Sequence, residues 1–274
     1  MKAWRQRPDG GRFGNYGLAS GLAALLWLPL PGLAQLNETG VNRYSDGASL
    51  TPEPANYPGQ DPSNGRDAAA AADPLQKAPS GGKGFDFTKL DGNGDPLPAS
   101  AGSWVCVRDN VTGLVWEVKT DDGGLRDKDW RYSWYSTDSS GNRKNPGIQT
   151  PSGNAGVCGD TLAHCNTQEY SAAVNQAGLC RFADWRLPTI TELRSIVDYD
   201  IASPGPAIDV AYFPNTVNDW FWSSSVYAGK PDHAWSLFFY DGDDDFDSKA
   251  DTYYVRLARG GHQASRPVGS PGSR

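Results

Sequence analysis

The chain has 274 residues and a formal charge of −7, from 25 basic and 32 acidic side chains. That balance disfavours nucleic acid, whose phosphates attract clustered Lys and Arg. Four cysteines without a Cys-x-x-Cys pair speak against a zinc site and for disulfides formed in an oxidising compartment.

At the N-terminus, Lys2, Arg5, Arg7 and Arg12 precede an apolar run from Leu18 to Leu28, followed by Pro29, Pro31 and Gly32-Leu33-Ala34. This is the plan of a secretory signal peptide over residues 1–34, cleaved after Ala34. The run is eleven residues long, against roughly 20 for a membrane-spanning helix. No later segment is apolar enough to be a transmembrane segment, and no Cys follows the cleavage point to carry a lipid. Removing four basic side chains and one acid takes the charge to −10. The expected location is the periplasm or the extracellular space.

Residues 35–84 are rich in Pro, Ala, Gly, Asn, Asp and Ser and nearly lack large apolar side chains, so they are expected to form a disordered spacer, with a short helix near Arg66–Lys77 as the exception. The Pro/Gly/Ser stretch 262–274 reads as a flexible tail. Between them, residues 85–261 hold eight of the ten tryptophans and all four cysteines, enough for one loop-rich α+β domain with short antiparallel strands and two helices.

The first strands are expected at Ser103–Arg108 and Gly113–Lys119. Of the three cysteine pairings, the reading favours Cys158 with Cys165, closing a small polar loop, and Cys106 with Cys180, joining the first strand to a distant segment; the other two pairings stay open. A helix is expected over Thr167–Ala177, capped by Asn166 and stopped by Gly178. Next comes Asp184-Trp185-Arg186-Leu187-Pro188, in which Trp185 is expected in the core and Arg186 paired with an internal carboxylate or loop carbonyls. Thr189 and Glu192 have capping-box spacing, and Ile190, Leu193, Ile196 and Val197 share one face of the helix that follows.

The last strands are expected at Trp220–Val226, His233–Tyr240 and Thr252–Arg259. In His233–Tyr240, Trp235, Leu237 and Phe239 alternate with Ser236, Phe238 and Tyr240. Both faces are aromatic, so either the sheet is covered on both sides or one aromatic face is displayed. The acidic run Asp241–Asp251 reads as a solvated turn opened by Asp241-Gly242. Its alternative is a calcium site built from Asp241, Asp243, Asp245 and Asp247, although Phe246 stands where an EF-hand loop needs Gly and Thr252 where it needs Glu. No resident cofactor is otherwise implied. The three histidines and Ser223-Ser224-Ser225 lie in no nucleophile motif.

Four segments in order, CVRDNVTGLVWEVKT (106–120), LCRFADWRLPTITELRSIVDY (179–199), FWSSS (221–225) and YYVRLARGG (253–261), resemble the C-terminal domain family of the Legionella collagen-like adhesin. The resemblance implies a C-type lectin-like fold, related at a distance to the sulfatase-modifying oxidases, whose closing strands and loops form the ligand face. The adhesin itself is a trimer that binds sulfated glycosaminoglycans. This chain departs from it in having no Gly-x-y repeat, which leaves a homo-oligomer open, in its charge of −10, and in carrying Arg181 where the family usually has Gly.

The expected function is a non-enzymatic binding or adhesion domain. Its partner would be a glycan or a surface protein, held through Tyr227, His233, Ser236, Phe238, Tyr240, Asp243 and Asp245. The rivals are a structural cell-envelope component and an oxidase, which would need a reactive thiol pair.

Overall fold

The computed structural model describes residues 39–41, 44–45, 50–51, 60, 65–71, 84–151 and 157–261. The expected signal peptide and tail lie outside them. Strands β1 (Tyr44–Ser45) and β2 (Leu50–Thr51) pair antiparallel, and helix α1 (Gly65–Ala71) follows. Helix α1 falls where a short helix is expected, and the β1–β2 pair lies inside the stretch expected to be a spacer. Asp67 is buried and accepts from the amides of Gly40 (2.9 Å) and Gly84 (2.7 Å), while Arg66 Nε donates to Gly84 O (2.9 Å). A buried carboxylate binding two amides is a strong, charge-assisted contact that a count of apolar residues does not register.

Strands β3 (Phe87–Leu90), β4 (Cys106–Asp109), β5 (Leu114–Glu117) and β11 (Ala258–Gly260) form an antiparallel sheet in the order β11-β5-β4-β3. Val107 lies opposite Trp116 and Cys106 opposite Glu117. Strand alternation therefore sends Phe87, Val107 and Trp116 to one face and Leu90, Cys106 and Val115 to the other. The first face joins a core with Leu193, Ile196 and Val197 from and just after α3 (Ile190–Arg194). The second joins a core with Tyr170 and Val174 of α2 (Thr167–Ala177).

A second sheet has the order β7-β8-β9, from β7 (Trp220–Val226), β8 (His233–Phe238) and β9 (Asp244–Ser248). Within the acidic stretch expected to be a turn, residues 244–248 thus form a strand. The single strand expected over Thr252–Arg259 is split into β10 (Thr252–Tyr253), which pairs with β6 (Tyr132–Ser133), and β11. Between them the backbone bonds to both sheets: Trp222 N donates to Tyr254 O and Tyr254 N to Trp220 O, each 3.0 Å, and Glu117 N donates to Leu257 O at 3.0 Å. One layer results, with α3 on one side and α2 on the other.

Local signals explain the helices. Asn166 Oδ1 caps α2 by accepting from Glu169 N (2.9 Å), and Gly178 ends it at φ 64°. Thr189 and Glu192 form the reciprocal capping box of α3 (3.2 and 2.8 Å). Disulfides join Cys106 to Cys180 and Cys158 to Cys165, so no cysteine is free.

The layer also buries charge. The Glu117 carboxylate accepts from Tyr170 Oη and from Leu257 N (3.0 Å) and lies 3.4 Å from Lys119 Nζ, which donates to Tyr170 Oη at 2.8 Å. Arg256 donates to Glu117 O (2.8 Å) and Thr216 Oγ1 (2.7 Å). Burial pulls the Lys119 ammonium down to about 8 and pushes the Tyr170 hydroxyl well above its ordinary value.

Candidate functional site

Pairing fixes which side chains share a face of the three-stranded sheet. Trp220 lies opposite Phe238, Trp222 opposite Ser236, and Ser236 opposite Asp245, while Phe221 lies opposite Leu237 and Trp235 opposite Phe246. One face therefore carries Trp220, Trp222, Ala234, Ser236, Phe238, Asp245 and Asp247. The other carries Phe221, His233, Trp235, Leu237 and Phe246.

Each face is covered at one end only. On the first, Trp222 and Ala234 are buried in the core shared with α2, and the half-buried rings of Trp220, Phe238 and Tyr240 continue beyond it. On the second, Phe221 and Leu237 are buried beneath α3, and Tyr227, Trp235 and Phe246 continue beyond it at the opposite end. Both alternatives for the aromatic strands hold at once, on a diagonal.

The residues expected to make one ligand face are divided accordingly. Tyr227 stacks on Phe246 (centroids 3.9 Å apart, 7° between planes) and meets Trp235 edge-on (5.6 Å), and His233 Nδ1 pairs with Asp232 Oδ1 (3.0 Å); these belong to the α3 side. Ser236 is fully buried, its Oγ donating to Asp247 Oδ2 at 2.6 Å, and so cannot touch a ligand. Phe238 and Tyr240 remain on the open end of the first face, as does Asp243, whose carbonyl accepts from Phe238 N (2.7 Å), and exposed Asp245. The expected single face is thus corrected to two, because His233 differs from Ser236, Phe238 and Tyr240 in strand parity.

Two residues absent from the expected set complete the open end. Trp220 stacks near-parallel on Phe238 (4.7 Å, 15°), and Phe238 on Tyr240 (5.4 Å, 17°). Tyr253 stands beside Trp220 (6.2 Å) and Trp222 (4.6 Å). The i and i+2 relation of Trp220 to Trp222 was the available signal for the first. Phe238, Trp220 and Tyr253 each have a ring on either side, so Tyr240, at the end of the row, is the ring best placed to offer a face to a flat partner, with Trp220 supporting the row from within.

Electrostatically this end is acidic. Burial, then the charges of Asp247 and Asp251, pushes the Tyr253 hydroxyl well above its ordinary value, and burial with Asp247 raises the Asp251 carboxyl. Gly242, at φ 91°, makes the turn into β9; a Cβ there would sit 2.6 Å from the Tyr199 ring. Asp241 Oδ1 accepts from Asp243 N in that turn (3.1 Å).

The calcium alternative is corrected as well. Among the described residues, the carboxylates of Asp241, Asp243, Asp245 and Asp247 are not gathered to ligating distance of one another, since a strand separates side chains on one face by about 7 Å. One acidic group does converge, Asp121, Asp127 and Asp129. Lys128 Nζ already lies 3.4 Å from Asp121 and 2.8 Å from Asp129, and Asp127 accepts the amides of Asp122, Gly123 and Asp129.

The segment around Trp185 and Arg186 lines a cleft of about 720 Å³ between α2 and the start of α3. Its polar groups bond one another. The Trp185 backbone is held by the Asn175 side chain (2.7 and 2.8 Å), and Arg186 binds Glu192 through two nitrogens (2.8 and 2.7 Å). Burial opposes ionisation of Glu192, but donors from Arg186 and Thr189 outweigh it and hold the carboxyl below its usual range.

No described helix is long and apolar enough to cross a membrane. The family model described as the Lcl C-terminal domain matches residues 105–259, and no curated protein and no solved structure matches.

Proposed function

We propose that this chain, which belongs to the Lcl C-terminal domain family, is an exported binding domain that takes a glycan on the open end of its three-stranded sheet. The observation that carries this reading is the row of half-buried rings, Trp220, Phe238, Tyr240 and Tyr253, beside the carboxylates of Asp243, Asp245 and Asp247. Rings accept the apolar faces of sugars, and carboxylates accept hydroxyl hydrogen bonds. A C-type lectin-like ancestry, with closing strands as the ligand face, agrees with this placement.

Both disulfides support export, because such bonds persist in oxidising compartments. They also occupy every thiol that an oxidase reading would use. In a glycan array on the folded protein, Trp220→Ala or Tyr240→Ala should lower binding about tenfold or more, while Tyr227→Ala, on the opposite face, should not. Loss with Tyr227→Ala alone would move the site to the α3 side. No glycan bound at all would favour the structural-component rival.

A further inference from the structure

The charge of the open face decides what kind of glycan fits it. We infer that its occupant is a cationic glycan, an amino-sugar polymer bearing free ammonium groups; this inference rests on reading the face as a glycan site. Residues 218–253 contain eight aspartates and two lysines. Neither lysine neutralises the rings' surroundings. Lys249 is buried over the Trp134 ring (4.1 Å) and donates to Asn142 O (3.3 Å) and Asn145 O (2.7 Å), and Lys230 lies in the turn after Tyr227, at the far end of the sheet. Arg194 is spent on Asp244, which faces the α3 side. Among the described residues no ion pair involves Asp243, Asp245, Asp247 or Asp251.

A row of like charges beside low-dielectric rings concentrates the opposite charge and repels its own. Sulfated or uronic polymers are therefore opposed, and protonated amines are drawn both to the carboxylates and to the faces of Tyr and Trp. A chain of sugars fits this strip better than a folded basic protein does. A stable protein interface covers about 800 Å² per partner, whereas four rings of roughly 150–250 Å² each, mostly buried, present far less.

The test compares short β-linked glucosamine oligomers with their fully N-acetylated counterparts and with heparin, by calorimetry at mildly acidic pH, where the amines are protonated. The glucosamine oligomer should bind at least about tenfold more tightly than the acetylated one and heparin should not bind. The preference should weaken with salt, disappear in Asp243→Asn/Asp245→Asn, whose altered side chains are exposed, and require Trp220. Equal or tighter binding of the acetylated oligomer, lost on Trp220→Ala, overturns the charge inference and leaves the glycan reading standing. Heparin binding, or glucosamine binding indifferent to Asp243→Asn/Asp245→Asn, also overturns the inference. Binding that no Trp220 or Tyr240 variant affects overturns the glycan reading itself.

Discussion

Glu117, Lys119 and Arg256, in or beside the four-stranded sheet, are buried and bonded to other segments of their own chain. Asp243, Asp245 and Asp247, in or just before the outer strand of the three-stranded sheet, meet solvent, and their side chains bond the backbone, Ser236 and Tyr253. Inward charges hold distant segments together, because a buried group stripped of its partner is costly. Outward charges on β9 hold little together. They also guard an edge strand, since carboxylates discourage another strand from pairing there. The contrast separates residues that the fold needs from residues available for recognition.

The contrast can be pressed hardest at the disulfide anchored in the four-stranded sheet. Replacing Cys106 and Cys180 by Ser opens a 74-residue separation and should lower stability by about 4 to 5 kcal/mol in urea unfolding. Opening Cys158–Cys165, which spans 7 residues, should cost only about 2 kcal/mol; equal losses would show that the long link has no special role. Glu117→Ala should cost about 3–5 kcal/mol by stranding Lys119 and the Leu257 amide.

Stability should also rise with pH from about 8 towards 10. The folded Lys119 titrates near 8 against an ordinary 10.5, so across that interval the unfolded chain holds a proton that the folded one has released, and raising the pH favours folding. Above about 10 the buried Tyr132 and Tyr170 hydroxyls reverse the trend, because they keep protons that the unfolded chain loses. Burial pulls Lys249 down to about 8 as well, so Lys119→Met should remove only about half of the rise in a pH series of chemical unfolding. Arg181→Gly should stabilise by about 1 kcal/mol, because Arg181 sits at φ 61°, a left-handed conformation costly for any side chain. Smallest of all, Asp245→Asn should shift stability by less than about 0.5 kcal/mol; a larger loss would place β9 among the elements that hold the fold.

The sequence was most readable where local chemistry decides structure. Asn166 and Gly178 bound α2, and Thr189 and Glu192 start α3, because caps act within one turn. Strand β9 was missed because aspartates are poor strand formers; pairing with β8 overrides that preference. Strand β3 was missed because it is buried on both faces, with Lys89 laid over Trp104 (3.5 Å) and donating to Ala101 O (2.9 Å), so no alternation marks it. Parity already separated His233 from Phe238, but the burial of Ser236 depends on Asp247, a partner hidden as long as β9 read as a turn.

Asp67 gives the protein a mechanical property. By holding Gly40 and Gly84 together through their amides, its carboxylate closes a loop around the 43 residues between them, and Tyr199 N, donating to Thr39 O (2.9 Å), ties the same end to the segment after α3. Under rising tension the clasp would yield before the disulfide-bonded layer. It would then release roughly 150 Å of chain at extended spacing, while the two disulfides hold the layer beyond it.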